Sequence, residues 1–268
     1  MKREIIYAVR GPKTLPEMTW EEVAEELERT DMIIFPVGST EEHGPHMPLL
    51  SDTIQGIEAT KRIVARLDDE GIRAVVGPPI PFGVSIELMD FPGTISVTPT
   101  TLMGLLKDVC NSLITHGFRK IVLVASHAEN LGVVYSVVQE ISQDPDVRIM
   151  ALNWLPPLRK RYSELLQPTG VEGHGGQGET ARVLASIPEL VQMQRAKPYH
   201  PEMQEKSEAD DPWHFGGGVF DPPRGMKQET PVGSIGNPLV ATVETGEKCY
   251  EVIVDFAVSA IKKHFGLP

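Results

Sequence analysis

Two uninterrupted apolar runs stand out in the hydrophobic pattern of the chain. One is Met-Ile-Ile-Phe-Pro-Val at 32–37, and the other is Lys-Ile-Val-Leu-Val-Ala at 120–125. Continuous apolar runs of this length are typical of parallel strands that are buried on both faces. Shorter apolar stretches at 73–77 and 147–153 predict two further strands.

Segments in which apolar residues recur at helical spacing lie between these strands. Thr19 begins one segment as part of a capping box with Glu22, and Thr98 followed by Pro99 begins another. The predicted helices are 20–29, 53–70, 99–117, 132–142, 155–166, 178–185 and 247–265. Strands that alternate with helices indicate βαβ units, and hence a right-handed, mostly parallel sheet with helices on both faces.

One segment departs from this alternation. Residues 198–246 are rich in proline, glycine and acidic residues and are too long for a plain connection. We interpret this segment as a lid or as a contact between subunits. Since no repeat or linker divides the chain, the sequence predicts a single α/β domain over residues 1–268.

Composition and charge narrow the classes of function. The 268 residues include 25 basic and 37 acidic side chains, and the net charge of −12 argues against binding to nucleic acid or to an anionic membrane surface. Cys110 and Cys249 lie in amphipathic patterns without C-x-x-C spacing, so we expect buried thiols rather than a disulfide or a thiolate metal site. The N-terminal residues lack an apolar signal core, and no run approaches a membrane span. We therefore expect a cytoplasmic protein.

A dense polar cluster follows the first apolar strand. Glu41 and His43 are two residues apart, and in extended backbone such side chains point the same way. Asp52 follows nine residues later, at the expected N-cap of the next helix. A carboxylate, an imidazole and a further acid that converge suit a metal ion. Taken alone, the cluster could also be a surface loop that holds two histidines by chance.

A second cluster of the same kind follows the strand at 120–125. His127 and Glu129 are again two residues apart. Because the carboxyl ends of parallel strands share one edge of a sheet, we expect the two clusters to meet there. Two histidines and three carboxylates can hold two divalent ions, Zn²⁺ or Mn²⁺, with Fe²⁺ as a further candidate. A water bridging two such ions has a lowered pKa and can attack as hydroxide near neutral pH. The glycine-flanked His174 is then free to move protons.

The residues around these clusters resemble the creatininase (creatinine amidohydrolase) superfamily. The stretch PVGSTEEHGPHMPLLSDT, from Pro36, carries the resemblance most specifically, together with SHAENLG at 126–132. Further similar stretches are FPGTISV at 91–97, GHGGQGET at 173–180 and GSIGNPLVATVETGE at 233–247. The resemblance extends over nearly the whole chain.

This resemblance implies a three-layer α/β/α sandwich with a binuclear metal centre. It assigns one ion to Glu41, Asp52 and His127. It assigns the other ion to His43, Asp52 and Glu129, with Asp52 as the bridge. Members of the family are often homohexamers, so the resemblance also implies a homo-oligomer.

The resemblance further implies which residues act on the substrate. His174 matches the catalytic histidine that protonates the leaving nitrogen. If His174 does not donate this proton, we expect it to come from Glu129 or from a metal-bound water. Glu179 matches an acid expected just outside the metal ligands. The His127-Ala128-Glu129-Asn130 variant of the second cluster is the one seen in creatininase, which favours cyclic-amide chemistry. Leu88, however, replaces a histidine that many relatives have, so a polar contact to creatinine is missing.

Several other residues are candidates for outer positions. His46 follows the ligands closely, and we interpret it as a hydrogen-bonding partner outside the metal ligands. Alternation along an extended chain predicts that Glu42 faces outward. Trp154 and Trp213 could wall a flat substrate, although a packed core position is at least as good an interpretation of Trp154.

Three functions are compatible with these residues. The leading one is a metal-dependent hydrolase that opens a small cyclic amide or amidine by means of a metal-bridged hydroxide. The second keeps the metals but changes the bond, since relatives hydrolyse formamides, peptide ends and a ring C–C bond of a cyclic inositol-derived diketone. The third is a non-catalytic metal- or metabolite-binding protein, against which the retention of His174 argues.

Overall fold

The core of the protein is a four-stranded parallel sheet. The computed structural model of the protein describes residues 11–200 and 225–268. Its strands are β1 (Met32–Val37), β2 (Val75–Val76), β3 (Lys120–Ala125) and β4 (Arg148–Asn153), in the order β2-β1-β3-β4. The strands β1, β3 and β4 were predicted almost to the residue, whereas β2 is shorter than the stretch 73–77.

Helices cover both faces of the sheet. They are α1 (Trp20–Leu27), α2 (Ser51–Asp69), α3 (Pro99–His116), α4 (Leu131–Ile141), α5 (Leu155–Arg159), α6 (Tyr162–Leu165), α7 (Gln177–Ser186), α8 (Met226–Glu229) and α9 (Val243–Phe265). Ile34 and its neighbours on one face pack against α2 and α9. Phe35, which points to the opposite face, packs against α3 and α4. The predicted three-layer α/β/α sandwich is therefore confirmed.

Local sequence signals account for the boundaries of α3 and for the start of α9. The hydroxyl of Thr98 accepts a hydrogen bond from the backbone N–H of Thr101 at 3.2 Å, and Gly117 ends α3 with φ +114°. Helix α9 begins at Val243, four residues before its predicted start, because the Thr242 hydroxyl caps it.

Two helix predictions were wrong. Helix α2 begins at Ser51 after Leu50, so Asp52 lies inside its first turn rather than at the N-cap. The predicted helix at 155–166 is two short helices, α5 and α6, separated at 160–161.

The sheet brings the ends of β1 and β3 side by side. Val37 is paired with Ala125, so the polar residues that follow both strands leave from one edge. Gly38 lets α2 approach this edge closely, because a Cβ atom at Gly38 would stand 2.6 Å from Oγ1 of Thr53. The first turn of α2, with Asp52, is thereby pressed against the end of β1.

The expectations for the cysteines were correct, since Cys110 and Cys249 are both free and buried. Among the described residues, no helix has the length and apolar character needed to span a membrane. Residues 201–224 of the predicted lid or subunit-contact segment, with Trp213, lie outside the described part of the chain.

Candidate metal centre

Glu41, Asp52 and His127 meet at the carboxyl edge of the sheet. Nδ1 of His127 lies 3.2 Å from Oε1 of Glu41 and 3.0 Å from Oδ2 of Asp52. All three side chains are buried, with at most 3% of each residue exposed. The expectation that the two strand-end clusters meet is therefore correct, and these three residues form one group able to hold a metal ion.

Two hydroxyl groups fix the orientation of Glu41. The hydroxyls of Ser39 and Ser85 donate to Oε2 of Glu41 at 2.8 Å and 2.5 Å. The other oxygen, Oε1, is the one that faces His127. Ser85 comes from a loop 44 residues further along the chain, and no sequence signal had connected it with Glu41.

His43, Asp52 and Glu179 form a second group. Nε2 of His43 lies 3.2 Å from Oδ1 of Asp52 and 3.7 Å from Oε2 of Glu179. Nδ1 of the same ring lies 3.2 Å from the backbone oxygen of Glu41, to which it can donate. In a neutral ring that donates this bond, Nε2 would carry the lone pair that a metal ion needs. Asp52 belongs to both groups, one oxygen in each, which is the arrangement expected of a bridging ligand.

Glu129 does not join His43 and Asp52, contrary to the arrangement that the resemblance implies. Its Oε2 lies 3.2 Å from Nε2 of His127, on the side of the ring away from Asp52. The reason is local: residues Ala128–Asn130 form a 3₁₀ turn, so the rule that i and i+2 point the same way does not apply. Burial raises the pKa of Glu129 to about 7. Glu179, expected outside the ligands, takes the place beside His43.

His174 lies against the metal centre rather than apart from it. Its ring packs against that of His43 in a tilted arrangement, with centroids 4.3 Å apart and an angle of 36° between the ring planes. Nε2 of His174 is 2.6 Å from the backbone oxygen of Glu42 and 3.3 Å from Oε1 of the same residue. His174 also forms a third potential metal group with Glu41 and His43.

Glu42 faces inward, so the prediction that it points to solvent was wrong. The residue is 6% exposed, and its Oε2 accepts the backbone N–H of Gly44 at 2.9 Å. Burial opposes a charged imidazole at His174, but the hydrogen bond and the charge of Glu42 outweigh it and raise the pKa of His174 well above its usual value. Glu42 therefore favours the protonated form of His174.

The glycine loop that carries His174 leads into helix α7. Oε2 of Glu179 accepts the backbone N–H of Gly175 at 2.7 Å. Glu172 accepts the N–H groups of Gln177 and Gly178 at 3.0 Å and 2.6 Å, which are donors at the start of the helix. Gly175 has φ +62°, and a Cβ there would stand 2.9 Å from the backbone oxygen of His43. Only glycine permits this close approach.

The described end of the predicted lid or subunit-contact segment packs against the same loop. The backbone N–H of Ile235 donates to the backbone oxygen of His174 at 2.7 Å. Ile235 and Met226 also pack against Leu88, which is 2% exposed. The position where many relatives have a histidine is therefore part of an apolar cluster.

Two of the remaining predicted residues are buried away from solvent. Nε2 of His46 lies 2.9 Å from the hydroxyl of Thr180, one residue after Glu179, so His46 has the outer hydrogen-bonding position expected of it. Trp154 is 1% exposed and packs in the core with residues of β3 and α9. The interpretation of Trp154 as a wall of the substrate site is not supported by this position.

Glu87 is a candidate residue that the sequence pattern did not single out. It lies on the 3₁₀ turn Ile86–Leu88 and is 8% exposed. Within the described chain, its Oε1 has no hydrogen-bond partner. Burial raises its pKa, and its charge interacts with those of His127 and His174. The feature of the sequence that could have drawn attention to Glu87 is its position directly before Leu88.

The donor set fits divalent ions. Imidazole and carboxylate ligands of this kind suit Zn²⁺ and Mn²⁺. Oδ2 of Asp52 is fully buried, yet within residues 11–200 and 225–268 it accepts no well-aligned hydrogen bond, even though Nδ1 of His127 is 3.0 Å away. Buried carboxylate oxygens normally accept a bond, so an atom left free beside the His127 imidazole is consistent with a ligand atom.

Fold and site together define an α/β protein with a candidate metal centre at the carboxyl edge of its sheet. The chain belongs to the creatininase family, because the sequence model described as creatinine amidohydrolase matches residues 16–261. Members of this family similar to the chain are hydrolases.

Relatives of the chain are named for different substrates. A creatinine amidohydrolase from Pseudomonas putida is 29% identical over 93% of this chain and 96% of its own length. A 3-dehydro-scyllo-inosose hydrolase from Thermotoga maritima is 25% identical over 91% of this chain and 81% of its own. A mycofactocin precursor peptide peptidase from Mycobacterium ulcerans is 27% identical over 86% and 84%.

Solved creatininase structures share the fold. A zinc–zinc form of a creatininase variant has a TM-score of 0.76 at 26% identity and covers 94% of this chain and 99% of that one. A manganese form has a TM-score of 0.75 with the same identity and coverage. A variant complexed with creatine has a TM-score of 0.74 at 26% identity, covering 94% and 98%.

Proposed function

We propose that the protein is a binuclear metal-dependent amidohydrolase that opens the ring of a small cyclic amide or amidine. The observation that carries this proposal is the convergence of two buried ligand groups that share Asp52, with His174 packed directly beside them and held by Glu42. A non-catalytic metal-binding protein would have no need for a histidine that is held by a carboxylate at this place.

Two sets of residues would hold the ions. Glu41, Asp52 and His127 would hold one, and His43, Asp52 and Glu179 would hold the other. The zinc and manganese forms of relatives support the same metals here. When bound, such ions polarise a carbonyl group and lower the pKa of a water molecule at the site.

His174 would supply the proton that the leaving nitrogen needs. Its Nε2–H is donated to the backbone oxygen of Glu42, so the proton available for transfer is the one on Nδ1. The carboxylate of Glu42 keeps the ring charged and fixes its orientation. As the amide C–N bond breaks, this proton would be transferred to the departing nitrogen, which leaves as a neutral amine.

Glu87 and Leu88 would set the character of the substrate. The unpaired Oε1 of Glu87 can accept an N–H group of an amide or amidine. Leu88, packed with Met226 and Ile235, supplies an apolar surface and no polar contact. A ring with N–H donors on one side and apolar atoms on the other fits this pair.

Leu88 also favours a second candidate function, in which the protein hydrolyses a bond other than that of a cyclic amide or amidine. The relatives named for an inosose and for a peptide are similar to this chain over most of its length, yet their named substrates differ. Formamides, the ring C–C bond of an inositol-derived diketone and short peptides are therefore the competing substrates.

The test is a substrate panel with the metal-reconstituted protein. Hydrolysis of creatinine, other lactams and hydantoins would be followed by mass spectrometry beside formamides, a cyclic diketone and short peptides. We expect ring opening of at least one cyclic amide or amidine. Turnover only of a competing substrate would move the function to the second candidate, and metal binding without any turnover would favour the non-catalytic protein.

We propose further that the protein is a homo-oligomer larger than a dimer. The length of segment 198–246 and the frequency of homohexamers implied by the family resemblance support this proposal. Light scattering at micromolar concentration is expected to give a mass of several 29.5 kDa chains. A monomer would contradict it.

A further inference from the structure

The side chain of Asn130 connects the ends of two neighbouring strands. Asn130 follows β3 in the 3₁₀ turn Ala128–Asn130 and is fully buried. Its Nδ2 donates at 2.9 Å to the backbone oxygen of Gly38, directly after β1. Its Oδ1 accepts the backbone N–H of Val84 at 2.9 Å. Since one neighbour is an acceptor and the other a donor, a single orientation of the amide satisfies both.

The segment held by this side chain, residues 83–85, contacts two of the candidate metal ligands. The backbone oxygen of Val84 lies 2.7 Å from Nε2 of His127. The hydroxyl of Ser85 donates to Oε2 of Glu41 at 2.5 Å. The other polar atoms of the two ligands, Nδ1 of His127 and Oε1 of Glu41, lie 3.2 Å from each other. The segment therefore holds each ligand by the atom that does not face the other ligand.

The contact with Val84 decides which nitrogen of His127 can bind an ion. A backbone oxygen only accepts hydrogen bonds, so Nε2 must carry the proton that lies between the two atoms. Oε2 of Glu129, 3.2 Å from the same nitrogen, is a second acceptor for that proton. In a neutral ring the lone pair is then on Nδ1, the nitrogen that lies beside Glu41 and Asp52. Histidines that bind metal ions are commonly oriented by such a bond from the other ring nitrogen.

Gly83 lets the segment come close to Asn130. A Cβ atom at Gly83 would stand 2.7 Å from Oδ1 of Asn130 and 2.9 Å from the backbone oxygen of Gly38. Both distances are too short for a carbon atom, so a side chain at position 83 would push the segment away. The contact between the segment and Asn130 can therefore be disturbed from either side.

We propose that Asn130 is a positioning residue for the first ion, the one that Glu41 and His127 would hold together with Asp52. It fixes residues 83–85 to the ends of β1 and β3, and these residues orient the two ligands. Both polar groups of Asn130 are occupied by backbone bonds, so it acts through its neighbours. The proposal rests on the two-ion function proposed above. Residues that orient metal ligands from outside typically change metal affinity about 10- to 100-fold when they are replaced.

The experiment measures binding of Zn²⁺ and Mn²⁺ to the metal-free full-length protein by isothermal titration calorimetry. We expect Asn130→Ala to weaken binding of one ion about 10- to 100-fold and to leave the other within about twofold. Gly83→Ala should cause the same selective loss, because its Cβ atom displaces the segment while Asn130 stays intact. If Asn130→Ala does not fold, Gly83→Ala still tests the proposal.

Two backgrounds identify the ion whose binding is weakened. In Glu41→Gln, which impairs the site of the first ion, Asn130→Ala should leave the affinity for the remaining ion within about twofold. In His43→Ala, which impairs the site of the second ion, Asn130→Ala should weaken the remaining ion by the whole factor of about 10 to 100. A general loss of stability would instead weaken the remaining ion in both backgrounds, and this result would contradict the proposal.

Asn153→Ala is the matched control. Asn153 is the last residue of β4, the strand beside β3, and its Oδ1 likewise accepts a backbone N–H, that of Leu155 at 3.0 Å. Loss of this bond should lower thermal stability, while the affinities for both ions stay within about twofold of the wild type.

Two further results would overturn the proposal: unchanged binding of both ions in Asn130→Ala and Gly83→Ala, or equal weakening of both ions. The wild-type titration keeps this test separate from the proposed function. Fewer than two ions in the wild type would refute the two-ion function itself. Two ions bound with unchanged affinity in the wild type and in both variants would refute only the role of Asn130.

Discussion

The two sides of the candidate metal centre are built differently. On the strand side, Glu41 and His127 leave neighbouring strands whose register pairs Val37 with Ala125. On the loop side, His174 and Glu179 lie in and just after a glycine-rich loop that is not part of the sheet. On the strand side, the hydrogen bonds between neighbouring strands fix the residues. On the loop side, the His174 ring and the Glu179 carboxylate each bond to a single backbone group.

The two sides suit two different tasks, metal binding on the strand side and proton donation on the loop side. Metal ligands need positions fixed to within fractions of an ångström, which regular elements provide. A proton donor must follow the substrate, and a glycine loop permits small adjustments. Glu179 combines features of both sides. It lies in the first turn of the regular helix α7, but its carboxylate contacts Arg182 and the backbone N–H of Gly175.

The largest effect is expected on the strand side, from Asp52→Ala. Among the described residues, Asp52 alone belongs both to the group with Glu41 and His127 and to the group with His43 and Glu179. Its loss should therefore release both ions and abolish turnover. Metal analysis after dialysis and an activity assay would measure this. Asp69→Ala, at the exposed far end of the same helix, is the control and should change neither. One ion retained at full affinity would show that Asp52 is not a bridge.

The second effect is on the loop side. His174→Ala should retain both ions and lose about a hundred- to ten-thousand-fold in turnover, mostly in kcat, because a general acid is removed while the ligands remain. His116→Ala, an exposed histidine at the end of α3, should behave like the wild type.

Loss of an ion in His174→Ala would make this histidine a ligand in the group with Glu41 and His43. Unchanged turnover would mean that the proton comes from another group, for which Glu129, with a pKa of about 7, is the first candidate.

A paired comparison decides which glutamate completes the second group. We expect Glu179→Gln to weaken binding of the second ion more than Glu129→Gln, since Glu179 is beside His43 and Glu129 is on the far side of His127. Both substitutions preserve size and remove one charge, so each serves as the control for the other. Calorimetric titration that shows the opposite order would assign the ligand to Glu129, as the family resemblance implies.

The smallest effect is expected from Glu87→Gln. If the free Oε1 of Glu87 accepts an N–H group of the substrate, KM should rise about tenfold, which corresponds to a hydrogen bond to a charged group. Metal content and kcat should stay near the wild-type values, and Glu189→Gln at an exposed position is the control. A loss of metal would place Glu87 among the ligands instead.

The sequence by itself determined the layers of the fold and the chemistry of the site. Continuous apolar runs can be satisfied only in a sheet covered on both faces, and such runs specify β1 and β3. The Thr98-Pro99 pair fixes the start of α3 by a local hydrogen bond. Carboxylates and imidazoles directly after two parallel strands must meet at one edge, as Glu41 and His127 do.

Only the tertiary structure decided where the side chains beyond the strands point. Alternation holds in an extended ladder, so it failed for Glu42 in a loop and for Glu129 in a 3₁₀ turn. The bond between His174 and Glu42 joins residues 132 apart, and that between Arg182 and Gln55 joins residues 127 apart. No local pattern encodes such pairs, because they arise when the glycine loop and α7 pack across the edge of the sheet.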